Sequence, residues 1–185
     1  MASIITATTT SGLTHSADNS GVLQLASGTG NLVTVPSVTG TAMVSGNMPA
    51  FSAYQGSIQV ISSATWTKLQ INTEEFDTAN CFDTSTFRFT PNVAGYYHFT
   101  GQYDIQTGSP TRALIAIRKN NSGTRANGND IGLSTGNLSN GCGMVVSKIW
   151  YMNGSSDYVE LFCFLTGGAT VDIDAYFQGL MVRAA

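Results

Sequence analysis

Charge is what this chain has least of. Asp, Glu, Lys and Arg together make up 10% of its 185 residues, against the roughly 25% of an ordinary soluble domain. The net charge is −3 and there is no basic run, which argues against nucleic-acid binding, since that needs clustered Lys and Arg on a phosphate backbone. No apolar stretch reaches the ~20 residues of a membrane-spanning helix, so no membrane insertion is expected. The opening residues, MASIITATTT, hold neither a basic n-region nor a long apolar core, so no secretory signal is expected. An exported eukaryotic protein is disfavoured, and the sequons Asn137-Leu-Ser139 and Asn153-Gly-Ser155 read as chance.

Histidine is nearly absent, with only His15 and His98. A Ser-His-Asp site needs a base within hydrogen-bond reach of its nucleophile, and His98 is the single candidate downstream of the first 48 residues; it reads as a packed or interface histidine. Glycosidases need two carboxylates flanking a bond. Glu74, Glu75 and Asp77 are available but read as solvated surface. Asp172 and Asp174 fall on one face of a strand. No glycine-rich loop links a strand to a helix, so nucleotide binding has no support. No enzyme and no cofactor are expected. The three cysteines, Cys81, Cys142 and Cys163, are odd in number and lack metal-type spacing. Cys163, inside the strand-like run Val159–Leu165, reads as a small buried hydrophobe. Cys81 and Cys142 stand open between a disulfide and free thiols, the latter expected of assembly in a reducing cytoplasm.

Aromatic residues are missing from the first fifty positions, as are Lys and Arg, and Asp18 is the only acid in residues 1–48. Such a segment cannot offset the chain entropy of folding by itself. It nevertheless holds short β-like pieces, Val22–Leu25, Leu32–Val35 and Thr41–Val44, separated by Gly-rich turns. Leu23, Val33 and Met43 recur at a spacing of about ten residues, as in repeat architectures. Three copies about a threefold axis would bury those positions against one another.

From Pro49 onward the sequence is all-β. Alternating runs are read at Ser57–Ile61, Thr65–Ile71, Thr86–Thr90, Tyr96–Ile105, Ala113–Arg118, Met144–Met152, Tyr158–Leu165, Val171–Ile173 and Ala175–Val182. They are broken by Asn/Gly turns such as Asn120-Asn-Ser-Gly123 and Asn153-Gly-Ser155. Long loops are expected between Ser122 and Gly143, around a weak strand at Asp130–Leu133. Within Thr86–Ile105, Phe87 and Phe89 alternate with Arg88 and Thr90, Pro91 stops the ladder, and Gly95 is read as a positive-φ turn. Tyr97, Phe99, Tyr103 and Ile105 then point one way; Tyr96, His98, Thr100 and Gln102 point the other. Aromatics on both faces predict a central strand covered on both sides, as in a sandwich.

Phe87-Arg-Phe-Thr-Pro91 followed by Gly95-Tyr-Tyr-His-Phe99 resembles the most recognisable segment of the C1q/TNF-like jelly-roll family. Pro49–Ala53, Ala113–Asn120, Tyr158–Leu161 and Ala175–Val182 resemble its opening, middle, penultimate and closing strands. The resemblance implies a jelly roll of about ten strands that assembles as a homotrimer. Ser11-Gly-Leu13 and Ala17–Leu25 resemble the segment that introduces many bacteriophage fibre-like proteins. Together these imply an amino-terminal anchor or stalk, residues 1–47, and a C1q-like knob, residues 48–185. They further imply a virion structural protein assembled in the host cytoplasm. Its expected role is a tail fibre or receptor-binding appendage for host attachment, with host surface glycan as a ligand; the alternatives are a capsid decoration or head fibre at threefold positions, or a soluble C1q-like lectin. On this reading Ile4, Ile5, Leu13, Val22, Leu23 and Leu25 contact other virion proteins, while Val33, Met43, Tyr96 and His98 form the trimer. Asp104, Asp157, Asp172 and Asp174 are candidate Ca²⁺ ligands, because some members of the family bind that ion. Trp66, Trp150, Tyr151 and Tyr176 are candidates for a sugar-stacking patch, weighed against burial in a core or trimer face.

Overall fold

The computed structural model describes residues 23–26, 32–35, 46, 48–122, 128–134, 138, 141–167 and 170–185. Strands are numbered here in chain order. The backbone divides into two units, Met1–Thr41 and Ala42–Ala185. In the first, β1 (Leu23–Ala26) and β2 (Leu32–Val35) form an antiparallel ribbon. Its register opposes Leu23 to Val35, Gln24 to Thr34 and Leu25 to Val33. A lone two-stranded ribbon is marginal in water.

The second unit is two antiparallel sheets. One holds β3 (Ala50–Tyr54), β4 (Gln59–Ser62), β6 (Thr73–Asp77), β9 (Gly95–Thr107), β12 (Gly143–Met152) and β14 (Thr170–Ala184), ordered β12-β9-β14-β3-β6 with β4 also on β14. The other holds β5 (Thr67–Lys68), β7 (Phe82–Asp83), β8 (Arg88–Phe89), β10 (Arg112–Lys119), β11 (Gly128–Ser134) and β13 (Val159–Thr166), ordered β11-β10-β13-β8-β7 with β5 also on β13. Alternation fixes which residues face inward. Tyr97, Phe99, Tyr103 and Ile105 of β9 are fully buried, as are Ile115 and Ile117 of β10 and Leu161 and Cys163 of β13. Phe51 sits at the centre, stacked on Phe89 at 4.4 Å and Phe82 at 4.9 Å, with the edge of Phe177 at 5.2 Å. Each such side chain contributes roughly 2 kcal/mol of burial.

Several expectations change. The strand read at Thr86–Thr90 shrinks to Arg88–Phe89. Phe87 is not its partner in alternation: it lies at φ 58° in the turn before it, where Asp83 accepts bonds from Ser85 and Thr86. Gly95 is the first residue of β9 and is not at positive φ. It is needed for close approach instead, because a Cβ there would lie 2.4 Å from the Arg183 carbonyl oxygen. The acidic run read as a surface loop is β6, with Phe76 in it. The two closing runs are one strand, β14, with irregularities at Asp172/Ile173 and Met181/Arg183. Within one protomer the central strand is covered on its inner side, and Tyr96 is 44% exposed on its outer face. Thr41–Val44 lies outside the described residues. All three cysteines are free thiols. Burial raises the thiol pKa of Cys163 to about 12.

Candidate functional site

The register of β12, β9, β14, β3 and β6 builds rows across the outer face of their sheet. One row runs Val145, Gln102, Tyr176, Tyr54. The next runs Ser147, Thr100, Gln178, Ser52, Phe76. The third runs Ile149, His98, Leu180, Ala50. The fourth opposes Tyr151 to Tyr96, with Val182 and Arg183 beyond. This face is mostly apolar and open: Val145 and Ile149 are 55% exposed, Phe76 51% and Leu180 50%. Tyr96 meets Tyr151 edge-on at 5.6 Å, and Tyr54 stacks on Tyr176 at 5.9 Å. Every exposed large hydrophobic side chain among the described residues lies on this sheet's strands or within two residues of them.

The face is uneven. A depression of about 330 Å³ opens where Ala50, His98, Thr100, Gln178 and Leu180 meet Phe76. At the opposite edge β12 carries Val145, Ile149 and Tyr151. His98 Nε2 lies 2.6 Å from Ser147 Oγ. Ser52 donates to Glu75 at 2.6 Å, so the carboxylate next to Phe76 is engaged.

The charged end of the face lies beyond Gln102. Asp104 and Asp174 are directly opposite across β9 and β14, and the Thr107 hydroxyl donates to Asp172 at 2.7 Å. Asp157 is not with them. It lies in the turn after β12, whose last residue opposes Gly95, and pairs with Lys119 Nζ at 2.8 Å. The four candidate Ca²⁺ ligands therefore divide, and no group of three or more His, Cys, Asp or Glu suited to a metal occurs among the described residues.

The other sheet presents a different surface. Trp66 packs on Phe164 at 5.4 Å. The Arg118 guanidinium sits 4.3 Å from the Trp66 ring and 4.5 Å from Phe162. Glu160, 1% exposed, takes Lys68 and Arg88 on one oxygen. Among the described residues of this sheet, Arg112 and Arg118 lie over aromatic rings and Lys68 and Arg88 pair with a carboxylate.

Of the expected trimer residues, Tyr96 and His98 lie on the apolar face. Val33 is in the ribbon, opposite Leu25. Met43 and the anchor candidates Ile4, Ile5, Leu13 and Val22 lie outside the described residues; Leu23 and Leu25 are in β1. The four candidate sugar-stacking aromatics do not converge. Trp66 is on the other sheet, Trp150 packs against the core, and Tyr151 and Tyr176 stand on β12 and β14. Sequence reading missed Val145, Ile149, Leu180 and Phe76. The alternation of Met144–Met152 and Ala175–Val182 carried the signal for three of them, while Phe76 was hidden by its acidic neighbours. The Asn153 sequon is engaged, its Oδ1 accepting the N–H groups of Ser155, Ser156 and Asp157.

No protein-family model matches the chain, and no curated protein sequence matches it. Solved structures do. The globular domain of zebrafish complement 1qA protein is 20% identical, with 74% of this chain and 99% of that one covered at a TM-score of 0.52. PRD1 vertex protein P5 is 15% identical, with 73% and 97% covered at 0.53. The Eiger TNF of S. frugiperda is 9% identical, with 75% and 93% covered at 0.52. The chain has the C1q/TNF-like jelly-roll fold.

Proposed function

We propose that this chain is a virion appendage that works as a homotrimer, its jelly roll forming an exposed knob and its amino-terminal segment the attachment to the particle. The apolar outer face of the β12-β9-β14-β3-β6 sheet carries this reading. A protomer with such a face alone in water is an aggregation hazard, and large exposed apolar patches mark interaction sites. A closed ring needs two unlike patches on each copy, so that one edge of a copy meets the other edge of the next. This face has both: a depression that runs from His98 on β9 to Phe76 on the edge strand β6, and the exposed side chains of Val145, Ile149 and Tyr151 on the other edge strand, β12. The opposite sheet, whose described cations are taken up by ion pairs and ring contacts, is left to face outward.

The particle location rests on other supports. The amino-terminal segment resembles those of phage fibre-like proteins, and the ribbon of β1 and β2 needs a covering partner. One protein of the same fold is named as a vertex protein, PRD1 P5, which favours a shell position as the second reading beside a tail fibre. Host attachment, with surface glycan as ligand, is the activity of the knob on the first reading. No reaction is assigned to the chain: among the described residues His98 bonds Ser147, with no carboxylate hydrogen-bonded to the imidazole to complete a catalytic triad.

The test has two parts. Mass photometry of the full chain at neutral pH should give three times the protomer mass of 19.5 kDa, and Leu180→Asp should give the protomer. A monomeric wild type would end the trimer reading. Cryo-EM of particles with and without the protein then locates the knob: tail density supports attachment, shell density supports decoration, and its absence from any particle returns the soluble-lectin reading.

A further inference from the structure

We infer that His98 makes the assembly acid-labile, so that the trimer is stable at neutral pH and comes apart as the imidazole is protonated; this rests on the trimer reading above. His98 stands in the middle of the apolar face, between Ile149 of β12 and Leu180 of β14, with Ala50 of β3 beyond. Its side chain is half-buried in the protomer and lines the depression that a neighbouring copy would fill. Nε2 is bonded to Ser147 Oγ at 2.6 Å.

Among the described residues, the titratable groups that share its face nearby are the phenols of Tyr96 and Tyr151; the charged groups are paired or further away. On its own strand the outward neighbours are Tyr96 and Thr100, and Asp104 is six residues, roughly 20 Å, along the strand. On β14 the neighbours are Gln178 and Leu180; Asp174 opposes Asp104, and Arg183 lies in the row of Tyr96. On β12 they are Ser147, Ile149 and the phenol of Tyr151, while Lys148 lies over the Trp150 ring at 5.7 Å. On β6, Glu75 accepts the Ser52 hydroxyl, Asp77 accepts the N–H groups of Ala79, Cys81 and Phe82, and Glu74 lines a separate depression with Asn80 and Asp83. Among the described residues the imidazole is hydrogen-bonded to Ser147 and to no carboxylate.

The sign follows from solvation. In the free protomer the ring is half-buried and within reach of water. Covered by the apolar edge of a second copy, the charged form loses that solvation and gains no counter-ion, so burial lowers the pKa. Assembly then requires deprotonation. Its free energy is fully present above the free imidazole pKa of roughly 6.5 and is lost as pH falls below it. Three copies bury three imidazoles, so the trimer association constant falls by up to about 1,000-fold per pH unit in that range.

Sedimentation velocity of the full chain from pH 7.5 to pH 5.0, at fixed ionic strength, reads this directly. Wild type should go from trimer to protomer across roughly pH 6.5 to 5, and His98→Gln, which keeps a hydrogen-bond partner for Ser147 and has no titrating ring, should show the same trimer fraction at pH 5.0 as at pH 7.5. A wild type already monomeric at pH 7.5 sinks the trimer reading. A trimer equally stable at pH 5.0, one that tightens in acid, or a His98→Gln trimer as acid-labile as wild type overturns the role of His98 alone. Should His98→Gln not fold, NMR titration of the imidazole protons in wild type decides. His98 staying neutral until the trimer dissociates supports the inference. A His98 that protonates near pH 6.5 within an intact trimer overturns it.

Discussion

Arg88 donates from Nε to Glu160 Oε1 at 2.8 Å, and Lys68 Nζ reaches the same oxygen at 2.9 Å. The carboxylate is 1% exposed, whereas the cations are 35% and 31% exposed. The bond also raises the pKa of the guanidinium. Its value lies in position. β8 pairs with β13 at one residue couple and β5 at two, so ladder bonds hold these short strands weakly. Glu160, on β13, clamps both through side chains.

Glu160→Gln should therefore loosen that corner of the sandwich. The replacement keeps the shape but leaves two cations without their counter-charge, one of them stacked 4.1 Å from the Tyr158 ring. A loss of about 2 kcal/mol in urea unfolding is expected, with protection from hydrogen exchange lost first in β5 and β8. An unchanged midpoint would show that the pair contributes nothing beyond packing.

Two glycines separate backbone strain from steric closure. Gly141 is at φ 86° with nothing within 4 Å of an added Cβ; Gly154 is at φ 71°, and its Cβ would lie 2.3 Å from Ala94 N. Gly141→Ala should cost about 1–2 kcal/mol, the left-handed penalty alone. Gly154→Ala adds a collision with main chain that cannot rotate away, and should cost about 3 kcal/mol or more. Thermal melts of the two variants give the comparison; equal losses would refute the steric part.

The contrast between these two positions shows what was legible in the sequence. Period-two alternation is a property of the chain itself, so the inward set of β9 and the long strands β10, β12 and β13 could be read within one or two residues. Gly95, Gly154 and Phe87 could not, because their roles depend on distant segments: the end of β14, the Val93–Ala94 turn and the Asp83 turn. Glu160 was equally hidden, its partners lying 72 and 92 positions away. Of the apolar face, His98 and Tyr96 were legible from one strand. Its extent was not, since Val145, Ile149, Leu180 and Phe76 become one surface only through the order in which β12, β9, β14, β3 and β6 pair.

Asp157 governs a local acid sensitivity. Burial works to raise its pKa, but hydrogen bonds from Lys119, Asn120 and the Asn153 N–H, with the charge of Lys119, outweigh this and hold it below the usual carboxylate range. A depressed carboxylate stabilises the fold above its unfolded pKa of about 4 and loses that contribution as pH falls. Asp157→Asn should therefore be less stable than wild type at pH 7, by about 1 kcal/mol, with the gap closing towards pH 2.5. A gap that stays constant across that range would mean the carboxylate charge is irrelevant there.

The two edges of the apolar face allow a complementation test of ring closure. If the depression beside Phe76 receives the Val145, Ile149 and Tyr151 row of the next copy, Phe76→Asp spoils the receiving edge and leaves the projecting edge intact. Ile149→Asp does the reverse. Each variant alone should be monomeric, because every interface it can form has one damaged side. Mixed, the intact row of Phe76→Asp meets the intact depression of Ile149→Asp, so one good interface forms and no more. A head-to-tail ring thus predicts a species of twice the protomer mass in the mixture, never three times. If the same patch of each copy met itself at a two-fold interface, both variants would damage every pairing and the mixture would stay monomeric. Mass photometry of the two variants, separately and mixed, distinguishes these arrangements.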